Sequence, residues 1–162
     1  MEKLKVVFDC MVFLQAVMSE KSLAFKLFEF VEEDSLTLFI SNEILNEINN
    51  VLRRPYIRDK NPQITDESVK IFLNRVLKEA VLLNKIPKHF QLLRDPKDEK
   101  YINLAVEAEA DYFVSRDNDL LDLMSRFTED CKEFRQRFRP LKVVKPLEFL
   151  RIVEDSELSL NP

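Results

Sequence analysis

LLRDPKDEKYINLAVEAEADYFVSRDNDLL, residues 92–121, gathers acids at two places and joins them by a helix and a strand. The first place is Asp95-Pro96-Lys97-Asp98 and the second is Asp117-Asn118-Asp119. Between them Tyr101, Ile102, Leu104, Ala105 and Ala108 recur at helical spacing, which predicts an amphipathic helix over 98–108. Tyr112-Phe113-Val114 reads as a short buried strand. The acids therefore stand at the start of a helix and just past the end of a strand. In an open parallel sheet the carboxyl ends of the strands are where sites form, so groups distant in sequence can converge there.

The amino-terminal stretch follows the same logic. Leu4-Lys5-Val6-Val7-Phe8 is an apolar run that ends in Asp9, a buried strand with an acid at its carboxyl end. A carboxylate is costly to desolvate unless it is paired or bound to a metal. Asp9 and Asp117 at strand ends and Asp98 at a helix start form a self-repelling group. Its natural counter-ion is a hard cation with oxygen ligands, Mg²⁺ or Mn²⁺.

A strand ending in Asp, Arg-Asp-Pro-Lys-Asp opening a helix that runs to Leu-Ala, and Ala-Asp-Tyr-Phe-Val-Ser-Arg-Asp-Asn-Asp-Leu-Leu together resemble the PIN domain family. Within it, the chain is most similar to the toxin components of bacterial toxin–antitoxin pairs. The resemblance runs from about residue 4 to residue 153, with the 92–121 block its specific part. It implies an α/β fold of three layers, α/β/α, around a central, mainly parallel sheet. It also implies a metal-dependent endoribonuclease that hydrolyses RNA phosphodiester bonds with one or two Mg or Mn ions. RNA is then the substrate, a cognate antitoxin is a partner, and two chains pair as a homodimer.

The family motif Ser-x-x-x-Leu-x-Glu, followed by Val-Leu-Arg-Arg-Pro, places a fourth acid at Glu47. Helical periodicity agrees, because Glu47 falls nearer than Glu43 to the edge of the apolar stripe of Ile44, Leu45, Ile48, Val51 and Leu52. A solvated surface Glu is the alternative. The expected catalytic set is Asp9, Glu47, Asp98 and Asp117; the expected metal ligands are Asp9, Asp98, Asp117 and Asp119. Ser115 and Asn118 are placed to orient water or phosphate. Arg94 and Arg116 either contact phosphate or pair with the acids beside them. One departure stands out: the family usually follows its first Asp with Thr and then Asn or Ser, whereas here Cys10 and Met11 follow Asp9. That departure supports a second reading, a catalytically weakened PIN module that binds RNA or a partner protein. A dehalogenase-like phosphatase needs a second Asp two residues after the first, and Met11 occupies that place.

Composition narrows the remaining classes. The chain has 162 residues, the size of one domain, and 46% of them are hydrophobic, enough for a core. The net charge of −4 argues against a broadly basic nucleic-acid coat, so RNA must be held locally or through metal. Cys10 and Cys131 are too few for a disulfide scaffold. Glycine is absent, which excludes a phosphate-binding P-loop and a dinucleotide fingerprint. Positive-φ positions must then fall to Asn or Asp, with Asn118 a candidate. No apolar run can span a bilayer and Met1-Glu2-Lys3-Leu4 lacks a signal-peptide layout, so a cytoplasmic protein without membrane contact is expected.

Elsewhere the pattern is scaffold. Leu23, Leu27, Phe30 and Val31 give a helix, Leu36–Ile40 a second strand, and Ser41 an N-cap. Residues 55–64 read as a polar connection, Thr65 caps a strong helix, and Val81-Leu82-Leu83 reads as a third strand. His89, the only histidine, has no acid motif beside it and is expected on the surface. Phe127, Cys131, Phe134 and Phe138 form a narrow apolar seam, suited to the domain's own surface or to a second subunit, with Arg135, Arg137 and Arg139 at its end. Leu141–Val144 is the last strand and Leu147–Val153 a closing helix. Residues 1–153 thus form the PIN-like nuclease domain and 154–162 a flexible acidic tail.

Overall fold

The computed structural model describes residues 3–160. Five strands form one wholly parallel sheet: β1 (Leu4–Phe8), β2 (Leu36–Ile40), β3 (Val81–Leu82), β4 (Tyr112–Val114) and β5 (Lys142–Val144). Their order is β3-β2-β1-β4-β5. The chain thus builds outward from β1 on one side, then crosses over and builds outward on the other. The reversal falls between β1 and β4, the position at which open parallel sheets leave a crevice for ligands. Phe8 is in register with Val114, so Asp9 and Ser115 emerge side by side at that crevice.

The helices are α1 (Cys10–Met18), α2 (Leu23–Glu32), α3 (Asn42–Leu52), α4 (Pro55–Lys60), α5 (Asp66–Glu79), α6 (Glu99–Glu107), α7 (Asn118–Leu121), α8 (Glu129–Arg137) and α9 (Pro146–Leu160). Strand alternation assigns them to two layers. Phe113 stacks on Tyr101 of α6, while its neighbour Tyr112 turns to Phe149 of α9. Val6, Val7 and Phe8 are fully buried, as expected of a central strand covered on both faces. The architecture is the three-layer α/β/α arrangement expected from the alternation of elements.

Capping follows the sequence. The hydroxyl of Ser41 accepts from Ile44 N–H at the start of α3, and Thr65 forms a reciprocal capping box with Ser68 at the start of α5. Several expectations need correction. The stretch 55–64 is not a plain connection, because Pro55 at the first turn starts the short helix α4. Asn118 is helical, and the positive-φ positions among the described residues are Asp34, Lys85 and Glu109. Asp34 and Glu109 follow α2 and α6. Beyond them, Ser35 N–H reaches Phe30 C=O and Ala110 N–H reaches Ala105 C=O, both at 2.9 Å. These closures normally use glycine; a chain without glycine bears the left-handed strain of about 1 kcal/mol at each. The helix α9 continues through residues 154–160, which the sequence suggests as tail; residues 161 and 162 lie outside the described part.

The phenylalanine seam folds onto its own domain. Cys131 and Phe134 are buried, and Phe134 and Phe138 pack edge-on against Phe90. Phe127 precedes α8 and is 82% exposed, so it is not part of the seam. Arg135 and Arg137 donate to the carbonyls of Leu123 and His89, and Arg139 to that of Arg135. Arg135 and Arg137 thereby fasten α8 to neighbouring segments of its own domain.

Candidate metal centre

Three loops meet at the carboxyl edge of the sheet. After β3 the chain reaches Asp95, which caps a single 3-10 turn (Pro96–Asp98) by accepting Lys97 N–H at 3.2 Å. Asp98 closes that turn and precedes α6, yet its side chain makes no capping hydrogen bond. Its carboxyl is therefore free to face elsewhere. After β4, Asp117 caps α7 by accepting Asp119 N–H at 2.8 Å. One carboxylate oxygen from each of Asp95, Asp98 and Asp117 lies within 4.8 Å of the other two. All three side chains are half-buried, and no Lys or Arg forms a salt bridge with any of them among the described residues. Burial pushes the Asp98 carboxyl up to about 8, helped by hydrogen bonding to Asp117 and Asp95 and by their charges. A protein that gathers three hard oxygen donors without a cation of its own has built a site that fits a divalent ion.

Asp9 stands beside this group, outside its closest circle. It is 5% exposed, and one oxygen accepts Val12 N–H at 3.2 Å while the other accepts the Ser115 hydroxyl. Burial raises its pKa; the Ser115 and Val12 hydrogen bonds pull it down, and the charge of Asp117 adds to the rise. The Ser115 Oγ in turn accepts Asp117 N–H at 3.0 Å, so a single buried hydroxyl ties the ends of β1 and β4 together. Cys10 and Met11 offer no hydroxyl or amide beside Asp9, and its side-chain hydrogen bond comes from Ser115, just past β4.

Glu47 lies on α3 with its carboxylate held from α6. The hydroxyl of the fully buried Tyr101 donates to one oxygen at 2.6 Å, and Lys100 Nζ is 2.5 Å from the other. Glu47 is therefore not a solvated surface acid. It belongs electrostatically with Asp9, since both charges, after burial, help push the Cys10 thiol between them up to about 12. They likewise add to the burial that raises the Tyr101 hydroxyl.

Other expected residues have different surroundings. Asp119 lies outside the three-carboxylate group and pairs with Arg94 at 3.1 Å. Arg94 also holds Asp122 at 2.9 Å, so of its two readings the fold realises the ion pair. Arg116 and Asn118 are exposed. Sequence reasoning missed Asp95 as a member of the cluster. Its signal was the three-residue spacing to Asp98 across a proline, which puts two acids on one turn. His89 pairs with Glu107 at 2.6 Å, away from the acids.

A wholly parallel sheet with three carboxylates converging at its carboxyl edge is an arrangement consistent with the metal-binding class of α/β hydrolases. The model of the PIN domain matches residues 5–119, and the chain belongs to the PIN domain family. That family generally uses divalent metal ions, and its nucleases act on RNA. The chain is also similar to the uncharacterized protein MJ1680 of Methanocaldococcus jannaschii, at 28% identity over 158 residues covering 94% of this chain and 93% of that protein. This likeness extends past the matched domain into α8, β5 and α9. Among the described residues no helix is long and apolar enough to cross a membrane.

Proposed function

We propose that the protein is a Mg²⁺- or Mn²⁺-dependent endoribonuclease that serves as the toxin of a toxin–antitoxin pair in the cytoplasm. The observation that carries the reading is the close approach of Asp95, Asp98 and Asp117 without a protein cation. Bound there, one or two divalent ions supply charge to the phosphoryl oxygens and acidify water. The three aspartates provide the oxygens for the first ion, and Asp9, held by Ser115, adds negative charge beside them. In this reading Glu47, held by Tyr101 and Lys100, takes a proton from the attacking water. Asp119 acts further out by fixing Arg94. Arg116 and Asn118, exposed next to Asp117, contact the RNA strand. The weakened-module reading rests on Met11, which is 48% exposed next to Asp9; the retained acids oppose it.

Incubation of purified protein with RNA in Mn²⁺ or Mg²⁺, with and without excess EDTA, tests the reading. Metal-dependent cleavage that disappears in Asp117→Asn supports it; cleavage that persists in EDTA overturns the metal mechanism. Growth arrest on induced expression, relieved by the same substitution and by a neighbouring gene, tests the toxin role. Homodimerisation rests on the resemblance and on exposed apolar side chains such as Tyr56 and Ile71, and sedimentation velocity tests it.

A further inference from the structure

A cavity with uncommitted cations lies at the carboxyl ends of β4 and β5, lined by Arg116, the chain neighbour of Asp117. It has a volume of about 590 Å³, in the range of small-ligand sites. Met18 of α1, Leu23 of α2, and Pro146 and Leu147 of α9 make its apolar wall; Arg116 and Lys145 stand at its edge. Neither cation forms a salt bridge with an acid among the described residues, in contrast to Arg94, Arg75 and Lys100. Arg116 also links the cavity to the site, because it lies between Ser115 and Asp117 in the chain. In a protein of net charge −4, two free cations flanking an acidic centre are a local feature that a polyanion can use.

We infer that this cavity is a nucleotide subsite, in which Arg116 and Lys145 hold phosphates of the RNA strand and the apolar wall takes the base of a flanking nucleotide. The inference rests on the ribonuclease reading above. Gln15, which lines the cavity, stands six residues beyond Asp9, about 9 Å along α1. Ser19 and Ser22 are committed to the turn between α1 and α2: Ser19 Oγ accepts Lys21 N–H, and Ser22 Oγ donates to the carbonyls of Ser19 and Gln15. The side-chain amide of Gln15 has no such commitment. One donor and one acceptor group are then available to a base edge, so Gln15 selects among bases while the two cations do not.

The test is a set of anisotropy titrations of fluorescein-labelled oligo(A), oligo(U) and oligo(C) RNA, in EDTA to prevent turnover, at several KCl concentrations. Lys145→Glu is expected to weaken binding about tenfold to all three and to reduce the salt slope by about one or more. Gln15→Ala is expected to flatten the preference among the three oligomers while leaving the salt slope unchanged. Lys70→Glu, the same charge change at an exposed position on α5 outside the cavity, is the control. An equal effect of Lys70→Glu and Lys145→Glu, or an unchanged salt slope in Lys145→Glu, overturns the subsite. Wild-type protein that binds with the expected Lys145 dependence but cleaves nothing in Mn²⁺ leaves the subsite standing and removes the ribonuclease reading.

Discussion

Replacing Asp98 with Asn removes the carboxyl most strongly perturbed by the cluster. In the folded protein that carboxyl is raised from an ordinary 3.8 to about 8. The native state therefore holds its proton more tightly than the unfolded chain does. The associated stability is complete below about pH 4 and is lost as the pH rises through 8. One proton over one pH unit amounts to about 1.4 kcal/mol, so pH 5 to pH 8 spans at most about 4 kcal/mol. The side chain is half-buried, and solvent screening brings the expected loss to about 2 kcal/mol. For a chain of 162 residues that is a fall in Tm of roughly 4–8 °C. The experiment is a series of thermal melts of wild type and Asp98→Asn between pH 5 and 8, in EDTA and again with Mn²⁺. Wild type should lose stability with rising pH in EDTA and regain it with Mn²⁺, by about 2.7 kcal/mol at a hundredfold excess over Kd. Asp98→Asn should show a flatter pH curve and a much smaller metal response. Parallel pH curves, or an equal metal response in both proteins, would refute the argument that these carboxylates repel one another and share a cation.

Three further substitutions probe what holds the site. Ser115→Ala deprives the buried Asp9 of its hydroxyl partner and Asp117 N–H of its acceptor; it should cost about 2 kcal/mol in urea unfolding and slow cleavage. Unchanged stability would show that another group supports Asp9. Tyr101→Phe deletes only the hydroxyl that fixes Glu47, so kcat should drop about tenfold while KM stays and stability changes by about 1 kcal/mol; an unaltered kcat removes Glu47 positioning from the mechanism. Phe134→Ala opens a cavity beside Phe90 and Phe138, with an expected loss of about 3–5 kcal/mol and no change in sedimentation of the folded protein. A shift in oligomeric state with unchanged stability would place Phe134 at a subunit contact instead.

Much of the scaffold was legible along the chain. The bounds of β1, β2 and β4, the caps at Ser41 and Thr65, and the strand-end positions of Asp9 and Asp117 depend on side-chain period and on hydrogen bonds spanning three residues. A sequence displays such short-range physics directly. The acids at strand ends could be related to one another only because a parallel sheet sends every carboxyl end to the same edge. Tertiary structure decided which groups actually meet there. Asp95 joins Asp98 and Asp117 because a 3-10 turn aims it at the end of β4. Asp9 receives its polar partner from Ser115, 106 residues away, through the β1–β4 register. Arg94 is taken by Asp119 and Asp122 across 25 and 28 residues, and the phenylalanine seam is covered by Phe90 from the loop after β3. Each of these outcomes depends on where distant segments are brought by packing of the core, and a periodicity confined to one helix or strand carries no information about that placement.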